Sequence, residues 1–299
     1  MKVLNLKEME VVEGGVGKYS NSKFLVMALL LTMAITGLYS CKKSESSQNE
    51  YSNNLKKNAK ELASLHNSGM DFISLKFNNT NKINQKTGPF RLMQYTGEET
   101  VNGDFLLQGA SEFIYGYDKS KEIVYLIPEL APALNYLLDN GTESVIKQQF
   151  ANATQDAISL APVTAREADL VADVSEILSE AYSMNLNQIQ TYNYIQSELD
   201  GLQKNMDNIT YIENEGELIN GLIEIGTQSN IYWSGHSSNI NIPTVSLIQM
   251  DLVGYIFGWA QAVRADYNAG TLRPSGQRAR IEQGVWGALG FSAGGLKFR

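Results

Sequence analysis

From Asn53 onward the hydrophobic positions recur every three or four residues. Leu55, Ala59, Leu62, Met70, Ile73 and Phe77, with His66 among them, trace one helical face and predict a helix of about seven turns. Residues 78–103 are rich in Asn, Thr and Gly and read as a loop-rich insertion. Helical spacing returns in "DFLLQGASEFIYGY" and in "PELAPALNYLLDNG", the latter with Pro128 near its start and Gly141 at its end. It continues in "TESVIKQQFANATQDAISL", where Thr142 is suited to cap, and in "TAREADLVADVSEILSEAYSMN", where Thr164 and Glu167 have capping-box spacing. In "LNQIQTYNYIQSELDGL" the spacing puts Ile189, Tyr192, Ile195, Leu199 and Leu202 on one side, as core or partner-facing residues. "GTQSNIYWSGHSSNINIP" then reads as a polar interruption. The last two helical segments carry small residues at spacings of three or four: Gly254, Gly258 and Ala262, then Gly284, Gly287, Gly290 and Gly294. Interior glycine costs about 1 kcal/mol relative to alanine, so such spacing predicts two helices pressed backbone to backbone. The fold expected for residues 53–299 is mainly α, an irregular multi-helix bundle.

The amino-terminal region follows a different pattern. Residues 24–39, "FLVMALLLTMAITGLY", are uncharged and apolar, and Lys18 and Lys23 precede them in the order of an export signal. The run falls short of the roughly 20 residues a membrane span needs. It leads into Leu38, Tyr39, Ser40 and Cys41, and then into the polar "KKSESSQNEYSNN". Leu38, Ser40 and Cys41 resemble the cleavage motif of bacterial lipoprotein signal peptides, with Tyr39 departing from the smaller residue usual there. The resemblance implies that residues 1–40 are removed, that Cys41 becomes a lipidated amino terminus, and that residues 41–52 form a polar tether. Lys42, where retained inner-membrane lipoproteins commonly carry aspartate, implies the outer membrane.

A second address lies upstream. "LNLKEMEVVEGG", residues 4–15, resembles the double-glycine leaders of bacteriocin-like peptides, with Leu4, Met9 and Val12 at the family's apolar positions and Glu8 beside Met9. The resemblance implies cleavage after Gly14 and Gly15, and export as a secreted product. The same residues also read as a long charged region ahead of an ordinary signal, and the two addresses compete.

Charge and chemistry narrow the functional classes. Residues 92–250 hold 22 acidic against five basic residues, a balance that repels nucleic acid and anionic surfaces. One cysteine excludes an internal disulfide, and the two histidines, His66 and His236, do not form a transition-metal cluster. No metal site or cofactor is expected. The acids Asp169, Asp173, Glu176 and Glu180 recur as a solvated helical stripe rather than as an acid–base pair. "ENEGEL", residues 213–218, lacks the ligand spacing of a calcium loop and reads as a helix start surrounded by carboxylates. The segment around Tyr232, Trp233 and His236 is the most site-like, a candidate binding loop, whereas Ser237 and Ser238 beside His236 do not make a catalytic triad. "LHNSGMDFI", "SNIYW" and the glycine-spaced ending resemble uncharacterised lipoprotein-like helical proteins of the Bacteroidota, a likeness that implies no activity. The reading is an exported, lipid-anchored protein of a bacterial envelope with a binding or structural role and no identifiable chemistry. It is expected to meet the membrane through its anchor, to bind an envelope protein partner, and not to bind nucleic acid. The rival is a secreted, bacteriocin-like protein whose glycine-spaced tail acts on membranes.

Overall fold

The computed structural model describes residues 47–80, 103–117, 127–160, 163–212, 214–236 and 242–296. The chain divides into two compact units, Met1–Ser47 and Gln48–Arg299. Cys41, Gly14 and Gly15, on which the two export readings rest, lie outside the described residues. Within the second unit the helices are α1 (47–63), α2 (Leu65–Thr80), α3 (Gly103–Tyr117), α4 (Ile127–Asn140), α5 (Glu143–Ile158), α6 (Ala165–Ser183), α7 (Gln188–Asp207), α8 (Glu217–His236), α9 (Thr244–Asn268) and α10 (Gln277–Gly295). The described residues are about 87% helical, with no strand among them, so the mainly α multi-helix fold is as the spacing predicts.

Side-chain caps fix several helix starts by satisfying amide hydrogens that have no partner within the helix. Thr142 accepts from the Val145 amide, and Thr164 accepts from the Glu167 amide at 3.2 Å. The complete capping box is at Asn187 and Gln190, each side chain bonding the other's main chain. At Thr164 only half the expected box forms, because the Glu167 carboxylate turns instead to the amides of Leu218 and Ile219 on α8. Helix α9 ends at Gly270, whose φ of +66° permits the Schellman pair of Gly270 N to Tyr267 O and Thr271 N to Asp266 O. The chain then reverses into α10.

The antiparallel pair α9 and α10 is the centre of the bundle. Both are buried almost all round, as a helix apolar on every face must be. Helix α9 also packs on α8 and α5, and α10 on α3 and α2. The outer helices are amphipathic: α6 buries Val171, Val174, Ile177, Leu178 and Ala181 and exposes Asp169, Asp173, Glu176 and Glu180. The glycines at the centre close the α9–α10 gap. A Cβ on Gly254 would overlap the Gly287 carbonyl, and one on Gly258 would overlap that of Gln283.

Four boundaries differ from the sequence reading. Residues 47–52 of the expected tether are already helical, and Tyr51 and Ser52 among them are buried; Ser52 Oγ accepts from the Tyr211 amide at 2.7 Å. The single long helix is divided at Ser64, whose hydroxyl donates to the Glu61 carbonyl and competes with the main-chain ladder. On α7 the buried face is Thr191, Ile195, Leu199, Leu202 and Met206, while Ile189 in the first turn is 72% exposed. The interruption expected from Gly226 is absent as far as His236, because α8 continues through that residue; 237–241 lie outside the described set. Of the 78–103 insertion, residues 78–80 belong to α2, Gly103 opens α3, and 81–102 lie outside the described residues.

Candidate functional site

The polar chemistry of the described chain concentrates in two buried clusters beside the central hairpin. The first centres on Asp251, which occupies the apolar run "LIQMDLVGYIF" of α9 and is fully buried. Its Oδ2 accepts from the Ser229 hydroxyl and, at 2.9 Å, from the Trp233 indole N–H, both on α8. His66 Nε2 of α2 lies 3.4 Å from the same oxygen and 2.8 Å from Ser292 Oγ of α10. His66 Nδ1 sits 2.9 Å from Asn67 Oδ1, and the Asn67 amide nitrogen donates to Gln228 Oε1 at 3.2 Å. With the amide so oriented, Nδ1 carries the hydrogen.

Ser, His and Asp therefore meet in one place, yet not as a nucleophilic triad. A triad sets hydroxyl and carboxylate on opposite ring nitrogens, so that the carboxylate orients the base that activates the hydroxyl. Here both face Nε2. His66, Ser229, Trp233, Asp251 and Ser292 are all 0% exposed, so no substrate reaches them. The cluster ties four helices together through Asp251 Oδ2, while Asp251 Oδ1 is buried with no hydrogen-bond partner.

The second cluster lies where α8 begins. Glu217 receives Arg280 as a two-point fork, Nη2 to Oε1 at 2.6 Å and Nε to Oε2 at 2.8 Å, and also the Trp259 indole N–H at 3.3 Å. Arg280 Nη1 continues to Asp266 at 2.7 Å, and Nη2 donates to the Arg273 carbonyl at 3.0 Å. Burial pushes the Glu217 carboxyl up, while the Arg280 fork pulls it back; the fork and the Asp266 carboxylate hold Arg280 charged. Alongside, Arg166 forks onto Glu215, whose carboxylate also accepts the Thr164 hydroxyl and the Ile212 amide. Burial pushes Glu215 up, but these bonds outweigh it and leave the carboxyl below its usual range. The helix start surrounded by carboxylates is present, with Asn214 and Gly216 both at positive φ in the turn before it.

The three residues of the candidate binding loop prove to be the last turn of α8. Trp233 is fully buried against Asp251 and Tyr232 is 3% exposed; the two rings meet edge to face, 5.1 Å apart. His236 is exposed, stacks on the Tyr232 ring at 4.3 Å and donates from Nδ1 to the Tyr232 carbonyl at 2.7 Å. Of the three only His236 reaches solvent. Helical spacing explains the difference: 229 and 233 share the inward face with 251's cluster, whereas 236 ends the helix.

Asp251, Arg280 and Glu217 were missing from the sequence-based site. For Asp251 the signal was available as a lone charge inside an apolar run, whereas Glu217 and Arg280 sit among other charged residues and carry no such signal. Which charge pairs with which depends on helix packing, and spacing along one helix does not contain it. Among the described residues no group of three or more His, Cys, Asp or Glu is placed to hold a metal, and no helix is long and apolar enough to cross a membrane. Compared with protein-family models, curated proteins and solved structures, the chain gives no match.

Proposed function

We propose that the protein is an exported, lipid-anchored component of a bacterial envelope whose helical body serves a binding or structural role. The observation that carries this reading is the sequence Leu38-Tyr39-Ser40-Cys41 at the end of the apolar run that follows Lys18 and Lys23. Two or more acyl chains hold a protein stably in a bilayer, where one does so only marginally. The burial of both polar clusters favours a binding or structural role over hydrolysis, since the only Ser, His and Asp grouping described is enclosed in the core.

The experiment is membrane fractionation of the expressing cell with wild type and Cys41→Ser. The anchored reading expects the wild type with the membranes and the variant released from them. A wild-type protein recovered from the medium, cut after Gly15, is the outcome expected of the bacteriocin-like rival.

A further inference from the structure

We infer that Glu167 is a proton sensor built into the bundle, and that its charge sets how firmly α6 holds the amino terminus of α8. Glu167 projects from the first turn of α6 and is 2% exposed. Its Oε1 accepts the amides of Leu218 at 3.1 Å and Ile219 at 3.2 Å, so one side chain from α6 caps another helix. Two further carboxylates, Glu215 and Glu217, are buried beside it at 2% and 1% exposure. The cations of this cluster are engaged elsewhere: Arg166 forks onto Glu215, and Arg280 bridges Glu217 to Asp266.

The groups around Glu167 can be taken element by element. Helix α1 supplies Tyr51, α6 its own Arg166, and the turn before α8 supplies Tyr211 and Glu215. Helix α8 supplies Glu217, α9 supplies Tyr255, and α10 supplies Arg280 through Glu217. Burial pushes all three tyrosines up, Tyr211 to about 12, so they remain neutral hydroxyls across the physiological range. Arg280 stays charged within its fork. Glu215 and Glu217 are each forked by a guanidinium, which leaves Glu167 as the carboxyl held by amides alone. Its burial is the largest influence and, with the charges of Glu217 and Glu215, outweighs the amide bonds and pushes it up to about 7.

The direction of the response follows from proton linkage. Between the ordinary carboxyl range and about pH 7 the folded chain keeps a proton that the unfolded chain has lost, so stability falls as pH rises through this window. The stabilisation is fully present below about pH 4.5 and is gone above pH 7. Above neutrality a bare carboxylate faces Glu215 and Glu217. The loss comes from burying that charge beside two others and outweighs the amide bonds, which by themselves favour the carboxylate; beside this site Tyr51 of α1 donates to the Glu215 carbonyl at 3.2 Å.

The test is denaturant unfolding of the full chain from pH 5 to pH 8.5, wild type against Glu167→Gln, together with hydrogen exchange of the Leu218 and Ile219 amides. Glutamine keeps the accepting oxygen and cannot ionise. The variant should match wild type near pH 5. At pH 8 its unfolding constant should be smaller by up to about 300-fold, the equivalent of moving one carboxyl from 4.5 to about 7. In the wild type, protection of the two amides, corrected for the intrinsic rate, should drop across pH 6 to 8. Parallel pH profiles for the two proteins, or amide protection that is flat through pH 7, would overturn the inference. If the variant does not fold, the wild-type exchange profile decides alone.

Discussion

Gly254 of α9 and Gly287 of α10 face each other so closely that a Cβ placed on either would overlap the other's carbonyl oxygen. The two backbones meet with no side chain between them, and the obstacle is main chain, which cannot rotate away. Gly254→Leu or Gly287→Leu should therefore lower stability by at least the 1–3 kcal/mol that overpacking typically costs, about. Thermal unfolding of each variant checks this, and an unchanged midpoint would mean that the hairpin is not packed as described.

Gly201 is the opposite case. It lies exposed in the interior of α7 with nothing within 4 Å of where a Cβ would sit. Gly201→Ala should stabilise the protein by about 0.5–1 kcal/mol, because alanine restricts the unfolded chain and meets no obstacle. A loss of stability in the same unfolding assay would contradict the placement.

Trp233 joins two roles, filling the core and donating to Asp251. Trp233→Ala should cost about 3–5 kcal/mol, the usual range for deleting a large buried aromatic. Trp233→Phe isolates the hydrogen bond and should cost less. Were Trp233→Ala to leave the unfolding midpoint intact while abolishing capture of a partner from envelope extracts, the residue would belong to a binding surface instead of the core.

Arg280 and Glu217 predict a double-mutant result. Arg280→Met leaves Glu217 buried without its cation, a situation that costs about 3–5 kcal/mol. Adding Glu217→Leu removes the stranded charge and should recover part of the loss. Chemical denaturation of both singles and the double gives the coupling, and strict additivity would indicate that the fork contributes nothing.

Much of this organisation was legible from local rules. Leu55, Ala59 and Leu62 on α1 and His66, Met70 and Ile73 on α2 are buried as their spacing requires, because that periodicity is local to each helix. Thr142 and Thr164 cap as their positions suggest, since a cap involves residues three apart. The glycine spacing anticipated the close approach of α9 and α10, as little else justifies so many interior glycines. Ile189 is not part of the core stripe because its helix begins only one residue before it, and a first turn need not continue the inward face. Trp233 looked like a loop residue because Gly235, Ser234 and Asn230 are weak helix formers; burial of Ser229, Asn230, Tyr232 and Trp233 overrides that preference. Asp251 with His66, and Arg280 with Glu217, are contacts between helices far apart in sequence, and composition cannot say which charges meet.

The most direct measurement on the central reading is the intact mass of the protein purified from its own membranes. A chain beginning at Cys41 with a diacylglyceryl group on that cysteine is the predicted result. An unmodified chain beginning at Val16, or one that retains residues 1–40, would contradict it.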